Sequence, residues 1–185
     1  MRKQLRLSGS GGQGVITAAI IFAEAAVSEG FDAVQSQSYG PEARGGASKS
    51  EVIIDDGKIF HPHVHCPDVV LAMTQKAADK YFSDLSSDGI LLLDSDLVPN
   101  VPDVSNVVRI PITRLAVEKL GKSLFANIVA LGALAHLTNL VDFDAVKKAV
   151  AHRVPSHTID QNMQALQIGW DAVEDFYNYE EKIAG

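Results

Sequence analysis

Gln4-Leu5-Arg6-Leu7-Ser8-Gly9-Ser10-Gly11-Gly12-Gln13-Gly14-Val15 is a short apolar strand pattern running into a glycine-rich turn. A long apolar helix pattern follows at once, over Val15–Glu29. Strand, turn and helix N-terminus together present backbone N–H groups and the positive end of a helix dipole, a combination that suits an anion. The same turn also lets another backbone or a large cofactor approach closely. Downstream the strand–helix rhythm repeats. The chain is therefore read as α/β: a three-layer α/β/α, Rossmann-like domain with a mostly parallel or mixed sheet.

Gln4–Ser8 is the expected first strand. The helix after it is apolar nearly all round, which predicts burial between the sheet and another layer. Gly30 stands where a residue at positive φ commonly caps a helix. Asp32–Ser38 and Ser48–Asp55 are the next strands, and Asp56-Gly57 is a hairpin signal predicting a return through Lys58–His61. Asp68–Thr74 reads as a central strand and Gln75–Leu85 as a helix. Gly89–Asp94 is a continuous apolar run, typical of a parallel strand covered on both faces, and Val107–Ile110 is the last strand. From about residue 113 the chain is helical, over Thr113–Leu120, Phe125–Leu140, Phe143–Arg153 and His157–Tyr179. Residues 1–185 are read as one domain. On the final helix Ile159, Met163, Leu166, Trp170, Val173 and Tyr177 form one narrow stripe. It either packs on the chain's own body or docks a partner.

The net charge of −7 and pI of about 5.3 offer no electrostatic footprint for nucleic acid. Cys66 is the single cysteine, so this chain holds no internal disulfide and no four-cysteine iron–sulfur or zinc site. A reduced, cytoplasmic setting is expected, because the first residues lack a signal-peptide pattern. Val15–Val27 and Phe125–Leu137 are the most apolar runs. Both fall short of the roughly 18 residues that a spanning helix needs, so no membrane is expected.

Gly9, Gly11 and Gly14 satisfy the dinucleotide-binding spacing in the right context, after a strand and before a helix. A NAD site also wants an acid at the end of the second strand. That end reads Gln35-Ser36-Gln37-Ser38, Asp32 lies at the opposite end, and no Arg takes the place for NADP. Free NAD is therefore disfavoured. The plainer reading of Gly12 and Gly14 is close packing of strand and helix. A second loop, Ser38-Tyr39-Gly40-Pro41-Glu42-Ala43-Arg44-Gly45-Gly46, joins sharp turn residues to an aromatic, a carboxylate and a guanidinium. Its plainer reading is a Glu42–Arg44 pair with Tyr39 on the surface.

Together, Gly9-Ser10-Gly11-Gly12-Gln13-Gly14 and Gln37-Ser38-Tyr39-Gly40-Pro41-Glu42-Ala43-Arg44-Gly45-Gly46 resemble the gamma subunit of 2-oxoacid:ferredoxin oxidoreductases. The likeness extends through Ser50-Glu51-Val52, Pro67-Asp68-Val69-Val70-Leu71-Ala72 and Asn127-Ile128-Val129-Ala130-Leu131-Gly132-Ala133, and so covers essentially the whole chain. The tyrosine-bearing second loop is more similar to 2-oxoglutarate-type than to pyruvate-type enzymes. The resemblance implies a subunit that is inactive alone and packs against alpha, beta and ferredoxin-like delta subunits. It also implies thiamine diphosphate, magnesium and iron–sulfur clusters on those partners, coenzyme A as co-substrate and ferredoxin as electron acceptor. No cofactor is expected to be held by this chain alone. The residues implied in coenzyme A access or site closure are Gly11, Gly12, Gln13, Tyr39, Glu42 and Arg44, with no catalytic residue among them. Arg44 is the natural phosphate or carboxylate partner, because its fork binds such groups bidentately.

His61, His63 and His65 alternate, but Pro62 and Pro67 interrupt regular pairing and no fourth ligand is near in sequence, so no metal is expected. Asp94, Asp96, Asp55 and Asp56 sit at strand ends and turns, where such residues usually serve turn chemistry. Ser10 has no His and acid arranged beside it, so nucleophilic catalysis has no support. Two other readings stand beside the subunit: a self-sufficient nucleotide-binding oxidoreductase using the glycine turn, and an assembly module whose turn binds nothing.

Overall fold

The computed structural model describes residues 1–38 and 46–184. Its strands are β1 (Arg2–Ser10), β2 (Asp32–Ser38), β3 (Ala47–Asp55), β4 (Val69–Ala72), β5 (Ile90–Asp94) and β6 (Val107–Ile110). They form one sheet in the order β2-β3-β1-β4-β5-β6. Strands β1, β4, β5 and β6 are parallel, whereas β3 runs antiparallel to both β1 and β2. The sheet is thus mixed. Its helices are α1 (Val15–Ser28), α2 (Gln75–Tyr81), α3 (Ile112–Leu120), α4 (Ala126–Thr138), α5 (Phe143–Arg153) and α6 (Ile159–Ala184). None of the described helices is long and apolar enough to cross a membrane.

Successive side chains of a strand point to opposite faces, and the two faces of this sheet are built differently. Leu5 and Leu7 of β1 are completely buried against the larger core, which α1, α4, α5 and α6 also enter. Helix α1 lies between the sheet and α4 and α5, as its apolar surface requires. Its C-terminus ends at Gly30, φ 91°, whose N–H donates to the carbonyl of Val27. On α6, Leu166 and Val173 are fully buried and Trp170 packs its ring on Phe143 and His136, at 4.4 and 4.6 Å. The stripe therefore packs mainly on the chain's own body, leaving Tyr177 exposed. Helices α4 and α6 cross with no side chain between them: a Cβ at Gly132 would lie 2.0 Å from the Leu166 carbonyl oxygen, and one at Gly169 1.8 Å from that of Val129.

On the opposite face, α2 is the one helix among the described residues, over a small apolar cluster that includes Val70, Ala72, Ala77, Ala78, Leu91 and Leu93. There β1 contributes Arg6, which is 4% exposed. Its Nε donates to Glu51 Oε1 at 2.8 Å, and its two terminal nitrogens grip Asp84 just beyond α2. Lys49 Nζ donates to the same Glu51 oxygen at 2.7 Å. Burial alone would push Asp84 up, but the hydrogen bonds and charge of Arg6 outweigh it and hold the carboxyl below its ordinary value. Burial likewise disfavours the charged Arg6, and its bonds to Asp84 and Glu51 more than offset that. Asp84 explains why α2 stops at Tyr81 and not at Leu85: the chain turns out of the helix to reach Arg6, with Leu85 N–H on the Phe82 carbonyl.

The expected hairpin at Asp56-Gly57 does not form. Lys58–His61 has no strand, because both edges of β3 are already taken by β1 and β2. Ile59 N–H instead donates to Asp32 Oδ2 at 3.0 Å. His63 and His65 lie in the same irregular stretch, with ring centres 6.4 Å apart, and do not share a strand face.

Candidate functional site

Connections from β1 run to one side of the sheet and those from β4 to the other, so β1 and β4 flank a switch point, where open α/β sheets take their ligands. The glycine turn lies at the C-terminal end of β1, above this point. Gly12 has φ 90° and Gly14 φ 75°. Both are left-handed conformations that glycine adopts without a steric penalty. Gly11 and Gly12 form the exposed tip. Gln13 is folded back into the turn: its Oε1 accepts from Ser10 N–H at 2.7 Å, and its Nε2 donates to the Met73 carbonyl at 3.4 Å. A Cβ on Gly9 would strike that Oε1 at 2.4 Å. Gln13 thus tethers the turn to the end of β4. On the other side Asn127 of α4 donates from Nδ2 to the Gly14 carbonyl at 3.3 Å, and its amide occupies the space a Gly14 side chain would need.

From this turn opens a groove of about 690 Å³, bounded by α1 and by the beginnings of α3, α4 and α6. Three of those helix starts are open. Helices α1 and α4 have no side-chain cap. Single 3-10 turns, Ser123–Phe125 and Ser156–Thr158, lead into α4 and α6. Their first hydrogen-bonded amides are Phe125 and Thr158, so the N–H groups just before each stand at the groove. Helix α3 is different. Asp94, fully buried at the end of β5, accepts both the N–H and the hydroxyl of Thr113, at 2.9 and 2.6 Å. That caps α3, while Asp94 Oδ1 accepts Asp96 N–H at 3.2 Å, the turn chemistry expected of an acid at a strand end.

Among the described residues no Asp or Glu lines the groove, in a chain with net charge −7, and His157 is the one ionisable residue of that described lining. Helix N-termini without nearby carboxylates attract negative charge. The arrangement can hold a phosphate or carboxylate.

Of the residues singled out from sequence, Gly11, Gly12 and Gln13 are brought to one place. Tyr39, Glu42 and Arg44 lie outside the described residues. The strands flanking that loop end beside the glycine turn, since Ala47 pairs with Ser10. Sequence reasoning missed Ser123, His157, Thr158 and Asn162 and quoted Asn127 only as part of a likeness. All stand more than 100 residues from the turn, and only the start positions of two helices hint at them.

Fold and groove define a mixed α/β domain with an open groove at the switch point of its sheet. The family model described as pyruvate ferredoxin/flavodoxin oxidoreductase matches residues 4–172, and the chain belongs to that family. It is 46% identical over 179 residues to the 2-oxoglutarate synthase subunit KorC of Methanocaldococcus jannaschii, covering 95% of this chain and 96% of that one. Identity to the pyruvate synthase subunit PorC of Methanothermobacter thermautotrophicus is 32%, covering 92% and 96%. Among solved structures, the keto/oxoacid ferredoxin oxidoreductase gamma subunit from Geobacter sulfurreducens superposes with a TM-score of 0.87. The two are 47% identical, and the match covers 95% of this chain and 98% of that one. The likeness to oxoacid:ferredoxin oxidoreductase gamma subunits, read from the two loops, is borne out.

Proposed function

We propose that this chain is the gamma subunit of a 2-oxoglutarate:ferredoxin oxidoreductase and that its groove takes the phosphate-bearing part of coenzyme A. The complex converts 2-oxoglutarate and coenzyme A to succinyl-CoA and carbon dioxide and passes two electrons to ferredoxin. Thiamine diphosphate with magnesium, on alpha and beta subunits, supplies the carbanion chemistry of decarboxylation. Iron–sulfur clusters on partners, including a ferredoxin-like delta subunit, carry the electrons, since a chain with only Cys66 cannot ligate one.

What supports the 2-oxoglutarate assignment is identity at full length: 46% to a 2-oxoglutarate synthase subunit against 32% to a pyruvate synthase subunit. What supports the ligand assignment is a groove at the helix starts whose described lining carries no carboxylate. In this reading the open amides of α1 hold phosphate oxygens, and Gly12 keeps the turn clear for them. Gln13 and Asn127 brace the turn from either side. Arg44, with Tyr39 and Glu42, completes the site from the neighbouring loop.

The test is purification of the chain with its native partners, followed by coenzyme-A-dependent dye reduction. The expected result is activity with 2-oxoglutarate well above that with pyruvate, and none from this chain alone. In the same complex Gly12→Ala should raise KM for coenzyme A and leave KM for the 2-oxoacid unchanged. Recovery of the chain alone with a bound nucleotide overturns the proposal.

A further inference from the structure

Nearly every polar group described around the groove is a hydrogen-bond donor or can act as one: helix amides, the hydroxyls of Ser123 and Thr158, and the His157 ring. Two asparagines also bring an acceptor oxygen: Asn127 is half-buried, and Asn162 is the more deeply buried of the two. It lies in the first turn of α6, lines the groove and is only 6% exposed. Its Nδ2 donates to the Thr158 carbonyl at 2.9 Å and to Thr158 Oγ1 at 3.1 Å. A carbonyl oxygen can only accept, so this contact fixes the orientation of the amide. Oδ1 is thereby directed away from Thr158. It accepts from no described residue, yet it is not sealed from solvent. An almost buried acceptor, held in one orientation beside an anion-accepting groove, needs an N–H or O–H from whatever enters.

We propose that Asn162 is a specificity-determining residue: its Oδ1 accepts an N–H or O–H from the ligand, so the groove selects molecules carrying both a phosphate and a hydrogen-bond donor. This rests on the reading of the groove as a coenzyme A site and adds a second requirement to it. A bare anion satisfies the helix amides and leaves Oδ1 unpaired. Coenzyme A offers such donors at both ends, in the two amides and the hydroxyl of its pantetheine arm and in the amino group and free ribose hydroxyl of its adenosine.

The experiment uses the assembled oxidoreductase carrying Asn162→Leu, with Asn162→Ala as the second variant should leucine disturb assembly. Losing one hydrogen bond to the ligand should raise KM for coenzyme A roughly 3- to 10-fold at unchanged kcat and unchanged KM for the 2-oxoacid. Inhibition by sulfate, competitive with coenzyme A, should not change, because sulfate has no N–H or O–H. Inhibition by adenosine 3′,5′-bisphosphate weakens if the adenosine end supplies the donor, and inhibition by phosphopantetheine weakens if the arm does. An unchanged KM for coenzyme A overturns the assignment. So does an equal loss of sulfate inhibition, which marks a structural role for Asn162. Gly12→Ala separates the two levels. If it raises KM while the Asn162 variants do not, the groove still binds coenzyme A and only Asn162 is misassigned. If none of the variants moves KM, the ligand reading of the groove falls as well.

Discussion

The two faces of β1 solve one problem in opposite ways. On one side Leu5 and Leu7 meet a wall of helices in which α4 and α6 touch backbone to backbone through Gly132 and Gly169. On the other, a single two-turn helix cannot supply enough apolar cover, and Arg6, Glu51, Asp84 and Lys49 close the layer with charge. The apolar face is insensitive to solution conditions but intolerant of added volume. The ionic face tolerates volume and depends on every partner being present and ionised. A buried pair of this kind is weak evidence of stability, since desolvation offsets much of the attraction, but removing one member leaves an uncompensated charge.

The largest expected effect tests the apolar face. Gly169→Ala puts a methyl group where the Val129 carbonyl oxygen already lies, so the helices must separate and about 3 kcal/mol or more of stability should be lost. Gly132→Ala should behave alike. A melting temperature within about 2 °C of wild type would show that this crossing yields easily and would erase the contrast. Next comes the ionic face. Arg6→Met keeps the length but leaves Asp84 without its partner and Glu51 with Lys49 alone, and a loss of about 2–3 kcal/mol is expected. Adding Glu51→Leu should restore part of it, and denaturant midpoints of the two single variants and the double variant measure the coupling.

Gly12→Ala is expected to cost less, about 1–2 kcal/mol, from its left-handed conformation alone, since no atom lies within 4 Å of the new methyl group. Its unfolding curve therefore moves only modestly while its KM for coenzyme A responds. The smallest effect sharpens the comparison through pH. Asp84→Asn should cost at most about 1 kcal/mol, because the pair is open to solvent on one side. Asp84 is held below its usual value of 3.8, so its contribution is present above that value and disappears as pH falls through the lowered one. The gap in urea midpoint between wild type and Asp84→Asn should stay constant at neutral pH and close in acid. The deficit of Gly169→Ala should not close.

Much of the fold was legible along the chain. Asp32–Ser38, Val107–Ile110 and Phe143–Arg153 occur at their expected limits, because each is a run of one period bounded by turn residues. Gly30 was readable as a cap for the same local reason. The failures were those of pairing. Asp56-Gly57 carries a good hairpin signal, and only the sheet order shows that β3 has no free edge. Arg6 reads as one polar residue in a short strand, and its partners stand 45 and 78 positions away. At the site, the glycine turn was visible as a motif, and the asparagines that line its groove were not.

By itself, then, the sequence determined the α/β class, the positions of most strands and helices and the place of the glycine turn. It also determined that no cluster can be ligated by a chain with one cysteine. These properties depend on residues close together in the chain, where periodicity, φ preferences and composition act directly. Only the tertiary structure decided which strands neighbour which and that Gln13 and Asn127 brace the turn. It also decided that Asp94 caps α3 while α1, α4 and α6 stay open, and that Asn162 faces the groove with one acceptor unpaired. Those outcomes follow from packing helices on a sheet, which brings together residues whose separation in sequence carries no signal of their meeting.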